Sequence, residues 1–252
     1  MLQIAHVTVQ FGALKALDEI TIAVPGERTI GLIGPNGAGK TTLLNAITGL
    51  YPLTAGTITL GGRRISGLRR SHLARLGISR TYQNLALFKG LSVLDNVLVG
   101  GASLGRGGIV TSALGLLPTP AAERRTRADA LALLARFGLA RDAGRPVDEL
   151  PYGVLKRVEL ARALAARPKV LLLDEPAAGL SHSDIEHLVA ELRDIQGTES
   201  LTLVVVEHHM GLVRALCDSV VVLNHGRVLA SGTPGEITNH PAVVEAYLGS
   251  AA

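Results

Sequence analysis

The chain has 252 residues, of which 47% are hydrophobic; that length buries a core large enough to do without disulfide or metal staples, and the composition excludes intrinsic disorder. Cys217 is the single cysteine, which leaves no disulfide framework and no zinc spacing. The formal charge of +4 comes from 25 Lys+Arg against 21 Asp+Glu, and its pairs Arg63-Arg64, Arg69-Arg70 and Arg124-Arg125 are dispersed with almost no aromatics between them, which reads as solvated faces and not as a nucleic-acid surface.

In chain order, residues 1–33 read as strands. His6, Thr8 and Gln10 alternate with Val7, Val9 and Phe11, the period of a half-buried strand. Ile20–Val24 repeats the style before a Pro25-Gly26 turn, and Thr29–Ile33 is short, apolar and β-branched like a buried parallel strand. A glycine-rich loop leads into a helix over Thr41–Thr48 that Gly49 stops. Gly56–Leu60 is a further strand. Residues 100–121 hold six glycines and two prolines without periodicity, a loop-like insertion. Ala122–Phe137 is helical, with Ala130, Leu133, Leu134 and Phe137 on one stripe. A second helix runs from about Pro151 to Arg167, with Pro151 at its first position. Val170–Leu173, Leu201–Val206 and Val220–Leu223 then alternate with helical stretches, which implies parallel βαβ units. These apolar runs fall far short of the ~20 residues a spanning helix needs. The N-terminus lacks a basic segment, apolar stretch and cleavage site. A soluble protein of a reducing compartment, with no membrane span and no leader, is expected.

Two motifs carry chemistry. Gly34-Pro-Asn-Gly-Ala-Gly-Lys-Thr-Thr42 fits G-x-x-x-x-G-K-[ST]. Gly34, Gly37 and Gly39 let backbone N–H groups turn inward around phosphate oxygens. Lys40 neutralises the β- and γ-phosphates, the Thr41 hydroxyl can ligate Mg²⁺, and the following helix aims its N-terminus at the anion. Asn36, Ala38 and Thr42 complete the ATP-binding segment. Val170-Leu-Leu-Leu-Asp174-Glu175-Pro176 is the second motif. A buried strand delivers Asp174 to its carboxyl end, where it can hold Mg²⁺. Glu175 beside it is placed to polarise an attacking water.

With these motifs the chain resembles, over essentially its whole length, the ATPase subunit of an ATP-binding cassette (ABC) transporter. The resemblance implies an α/β fold: a P-loop NTPase (RecA-like) core with a mostly parallel sheet, an N-terminal antiparallel β part and an inserted α-helical subdomain. The core is assigned to 1–84 and 158–252 and the insertion to 85–157. Gln83 in Arg80-Thr-Tyr-Gln-Asn84 resembles the glutamine that touches the metal and senses the membrane partner. His208 in Val206-Glu-His-His-Met210 resembles the switch histidine at the γ-phosphate, and Phe11 the aromatic that stacks on adenine. Leu150-Pro-Tyr-Gly-Val154 resembles the signature, usually Leu-Ser-Gly-Gly-Gln. Pro151, Tyr152 and Gly153 would face the ATP of a partner chain, yet Pro151 replaces the serine, Tyr152 a glycine and Val154 the glutamine. The aspartate common after the catalytic acid is also missing: the chain reads Ala178-Gly-Leu-Ser181.

The same departures, with the tail Gly232-Thr-Pro-Gly-Glu-Ile237 and Ala246-Tyr-Leu-Gly249, resemble the branched-chain amino acid uptake branch. The 100–121 insertion resembles the longer of its two ATPase subunits. The implied cofactors are ATP and Mg²⁺. The implied partners are a second ATPase subunit packed head to tail, two transmembrane permease subunits and, indirectly, a periplasmic or extracellular solute-binding protein, with no nucleic acid. The expected place is the cytoplasmic membrane face. Leu85–Phe88 and Val93–Val99 would form the groove for a permease helix. Alternatives are a mainly regulatory nucleotide-binding module, an importer ATPase for urea or short amides, and an ABC-type ATPase acting on DNA or ribosomes. The last lacks the tandem cassettes or coiled coils usual for it.

Overall fold

A computed structural model describes residues 1–82, 85–102 and 120–248. Its centre is a six-stranded sheet built from β3 (Thr29–Ile33), β6 (Ile78–Arg80), β7 (Val170–Asp174), β8 (Thr202–Val206), β9 (Ser219–Asn224) and β10 (Arg227–Gly232), in the order β10-β9-β3-β8-β7-β6. All neighbours pair in parallel except β10, which returns antiparallel from β9. Every residue of β3, β7 and β8 is buried, because both sheet faces are covered and alternate side chains enter two different cores. Leu171, Leu173, Leu203 and Val205 point into a core shared with helices. Leu172, Val204 and Val206 point into a core shared with a second sheet.

That second sheet is antiparallel and joins β1 (Leu2–Phe11), β2 (Leu14–Val24), β4 (Ala55–Leu60) and β5 (Arg63–Arg64) in the order β2-β1-β4-β5. The strict alternation expected of β1 breaks inside it. Leu2 and Ile4 are buried, then Val7 and Val9, so the parity changes between Ile4 and Val7. The cause is a bulge: register shifts there against both neighbours, and His6 takes φ +49°. A further register shift against β2 lies between Val9 and Gln10, and beyond it Phe11 is exposed although it shares the parity of the buried Val7 and Val9; Thr8 is buried.

Helix α1 (Lys40–Ile47) follows β3, and α2 (Arg70–Arg75) precedes β6. On the helical face α3 (Val93–Ala102), α4 (Pro120–Arg136) and α5 (Tyr152–Ala165) pack together through Val97, Leu134, Phe137, Val158 and Ala161. Helix α5 runs unbroken across residue 157. It starts at Tyr152, one residue later than the sequence places it, with Pro151 as the extended residue ahead of it. Then come α6 (His182–Thr198), α7 (Met210–Leu216), α8 (Pro234–Thr238) and α9 (Pro241–Leu248). The stretch 103–119, most of the expected insertion loop, lies outside the described residues, as does Gln83. No helix among the described residues is long and apolar enough to cross a membrane.

Candidate functional site

Three neighbouring parallel strands, β3, β8 and β7, end at the same sheet edge, the place where open α/β sheets bind ligands. β3 runs into residues 34–39, β7 ends on Asp174, and β8 leads to Glu207 and His208.

The glycines of the first loop have different reasons. A Cβ on Gly34 would sit 2.1 Å from the Leu223 carbonyl oxygen, and one on Gly39 would meet Ala16 O and Leu17 Cδ2 at 2.8 Å. A Cβ on Gly37 would meet nothing described within 4 Å, so there the requirement is φ +78° alone. The loop is braced from outside: Gly226 N donates to Ala38 O, and Asp18 N donates to Gly226 O. Asn36, Gly37 and Thr41 are exposed, Ala38 is buried and Thr42 is half-buried. No side chain caps α1 among the described residues, so its first N–H groups face the loop's open side. Lys40 folds back, and its Nζ donates to Gly34 O at 2.6 Å and Pro35 O at 2.9 Å. Burial pushes its pKa down, while Glu175 and Asp174 oppose the shift. An anion in the loop would supply the ammonium with a better partner than two carbonyls.

Asp174 is 4% exposed and is not alone. Arg80 Nη2 donates to its Oδ2 at 2.7 Å, and Arg80 Nη1 donates to Asn45 Oδ1 on α1 at 2.6 Å. The Arg80 guanidinium also lies 5.1 Å from the centre of the Tyr82 ring. One buried arginine thus ties the phosphate-loop helix, the strand leading to Gln83 and the acid of β7. The ion pair uses one carboxylate oxygen of Asp174.

Glu175 is held at φ +49°, an uncommon conformation for a non-glycine residue. Its N–H donates to Val206 O and its carbonyl accepts from Ala178 N. Glu207 is completely buried. Its Oε1 accepts from Ala177 N at 2.7 Å, and its Oε2 accepts from His208 N at 2.9 Å and His209 N at 3.0 Å. This carboxylate staples the loop after Glu175 to the loop that presents His208. Sequence reasoning passed over both Arg80 and Glu207. The only local trace was a charged residue inside or directly after an apolar strand. The His208 side chain is 66% exposed and stands at the rim. His209 is a helix cap: its Nδ1 accepts from Leu212 N at 3.1 Å.

Phe11 is 45% exposed and meets Tyr51 edge-on, with ring centres 5.0 Å apart; it is not a core residue. Gly34 N–H also hydrogen-bonds Tyr247 of α9, whose phenol pKa burial raises, so the C-terminal helix reaches the phosphate loop. At the signature, the Pro151 carbonyl accepts from Val154 N and Leu155 N. No side chain caps α5 among the described residues.

The family described as "ABC transporter" matches residues 17–178. A second, "Branched-chain amino acid ATP-binding cassette transporter", matches residues 227–252. The chain is 41% identical to the high-affinity branched-chain amino acid transport ATP-binding protein LivG of Salmonella typhimurium, covering 100% of this chain and 98% of the relative. It is 39% identical to BraF of Pseudomonas aeruginosa, the protein of the same description there, with the same coverage. Among solved structures it is similar to the ADP conformation of MJ1267, an ATP-binding cassette of an ABC transporter, with TM-score 0.86, 29% identity and coverage of 99% and 98%. It is also similar to the dimeric structure of MJ0796, a bacterial ABC transporter cassette, with TM-score 0.79, 26% identity and coverage of 93% and 99%.

Proposed function

The chain belongs to the ABC transporter family as an ATP-binding cassette ATPase, and from that premise we propose that it powers the uptake of branched-chain amino acids at the cytoplasmic face of a membrane. The observation that carries the proposal is the convergence of Lys40, Asp174, Glu175 and His208 on the adjoining ends of three parallel strands. The match of residues 227–252 and the descriptions of LivG and BraF support the solute.

In this reading the ATP phosphates lie in the loop of Gly34 to Gly39 and on the N-terminus of α1, touching Asn36, Ala38, Thr41 and Thr42, with adenine against Phe11. Lys40 leaves its own carbonyls for the β- and γ-phosphates. Thr41, Asp174 and Gln83 would hold Mg²⁺, which when bound neutralises phosphate charge. The donor set fits: hard oxygens with few carboxylates suit an ion shared with phosphates, and among the described residues no three acidic, His or Cys side chains are placed to hold a metal by themselves. Arg80 keeps the Asp174 carboxylate at the strand end. Glu175 orients the attacking water and His208 meets the γ-phosphate, so catalysis is positioning and charge stabilisation. Pro151, Tyr152 and Gly153 face the ATP of a second ATPase subunit. In this reading α3 and α4 belong to the inserted helical subdomain assigned to 85–157 and the two sheets to the core assigned to 1–84 and 158–252, with the boundary at 157 falling inside α5. Phe88 and Val99, 50% and 42% exposed, contribute to the face for two permease subunits, which a solute-binding protein serves from the far side.

The test is ATPase turnover and uptake by the assembled transporter in vesicles. Glu175→Gln is expected to lower turnover about 10²–10⁴-fold with ATP binding retained, and labelled leucine to accumulate only with ATP inside. Equal turnover of variant and wild type overturns the role of Glu175. Uptake of urea or short amides in place of leucine overturns the solute.

A further inference from the structure

The signature and the loop after Glu175 both depart from the family pattern, and in the folded chain Tyr152 of the first touches Gly179 of the second. Gly179 lies in that loop at φ +75°. A Cβ built on it would fall 2.9 Å from Tyr152 Cε1 and 3.5 Å from Cδ1 and Cζ. The Tyr152 ring therefore rests on the bare α-carbon of a residue 27 positions away, in space a side chain would need. The next residue borders the same region with room to spare: a Cβ on Gly153 would lie 3.6 Å from the Asp184 carboxylate, an ordinary contact. Asp184 in turn is fixed by Ser181, which caps α6 by accepting from Asp184 N and whose hydroxyl donates to Asp184 Oδ2.

The segment under the ring is stiff. Glu175 starts it in a constrained conformation, Ala177 N is pinned to Glu207, and Ala178 N and Leu180 N donate to Glu175 O and Ala177 O. Ser181 closes it as the cap of α6. Gly179 is thus separated from Glu175 by a short path on which Ala177 and Ala178 make hydrogen bonds, with Leu180 bonded back to Ala177. The Lys156 ammonium lies over the ring, 5.8 Å from its centre, and 43% of Tyr152 stays exposed.

We propose that Tyr152 is a positioning residue that seats on Gly179 and makes the signature end of α5 and the Glu175 loop move as one body. Contact of the signature with a partner chain then sets the position of this chain's own water-orienting acid. The inference rests on the proposed function and adds to it an intrachain link between the two ATP sites that the chain serves.

A double-mutant cycle in the assembled transporter tests it, using Tyr152→Ala, Gly179→Ala, the pair and Tyr152→Phe. The cycle cancels the strain of φ +75°, because both Gly179→Ala chains carry it. Each single alanine variant is expected to lower kcat about tenfold, with the ATP Kd of the full-length chain, read with a fluorescent ATP analogue, changed less than about twofold. The pair is expected to lose less than the product of the two single losses, since removing the ring vacates the space the new Cβ needs. Tyr152→Phe is expected to recover most of the loss. Multiplicative losses in the pair, a Phe variant as poor as the Ala variant, or an effect confined to Kd overturns the inference and leaves the proposed function standing. A wild-type assembly that does not hydrolyse ATP overturns both.

Discussion

The phosphate loop and the signature both bring backbone close to another part of the molecule, but they distribute glycine differently. In the loop the glycines belong to the functional segment itself: Gly34 lies under the Leu223 carbonyl and Gly39 against Ala16 and Leu17. At the signature the functional segment carries the bulk of Tyr152 and the facing loop carries the bare α-carbon of Gly179. Close approach needs one missing side chain per contact. Between two protein segments either side can supply it, whereas a segment that must also receive phosphate oxygens on its N–H groups has to be the bare one. Their supports differ too. Behind the phosphate loop lies a buried polar network of Arg80, Asp174 and Asn45. Behind the signature, the partners of α5 on α6 are half-exposed acids, Asp184 and Glu191.

The largest effect separates the glycines within the loop. Gly34→Ala drives a methyl into a β9 carbonyl and is expected to yield no stably folded chain. Gly37→Ala, where no steric conflict exists, is expected to fold with a loss of about 1–2 kcal/mol from its positive φ. Urea denaturation of the two variants checks this, and equal stabilities would break the distinction between steric and conformational glycines. Next in size is the network behind the loop. Arg80→Ala leaves Asp174 as a buried, unpaired carboxylate, and the expected loss is about 3–5 kcal/mol, measured in the same denaturation series. A loss below about 1 kcal/mol would mean that the pair behaves like a surface ion pair.

How far the sequence revealed all this follows the distance between cause and effect. The phosphate loop was legible because nine consecutive residues, Gly34 to Thr42, carry its whole chemistry between a strand and a helix. Asp174 and Glu175 were legible because an apolar strand of five residues points them at the sheet edge. The bulge in β1 was not, because register is set by two neighbouring strands and local alternation sees neither. Arg80 reads as one more arginine in a basic chain until β6 pairs beside β7 and puts it against a carboxylate 94 positions away. Tyr152 reads as a lost glycine until the compensating Gly179 is seen beneath it. A departure from a motif that looks like damage in the linear sequence can be complementary in space to a residue far along the chain, as Tyr152 is to Gly179.

The smallest predicted effect lies on the signature side and follows from pH. Glu191 of α6 has a buried Oε2 with no hydrogen-bond partner among the described residues. Burial raises its pKa to about 7, against a weaker opposing pull from Arg157 of α5. The folded chain therefore binds this proton more tightly than the unfolded chain, whose carboxyl titrates at its ordinary value near 4.5. Between the two values the native state holds more protons, so stability falls as pH rises through that window and is level above it. Glu191→Gln keeps the shape and removes the titration. It is expected to match wild type at pH 4.5 and to exceed it at pH 8 by about 2–4 °C in Tm, the shift that about 1 kcal/mol gives a domain of this size after solvent screening. A variant that loses stability at pH 8 would show that Arg157 holds the carboxylate as an ion pair. The support behind the signature would then be as firmly charged as the one behind the phosphate loop, and the contrast between the two regions would reduce to the placement of their glycines.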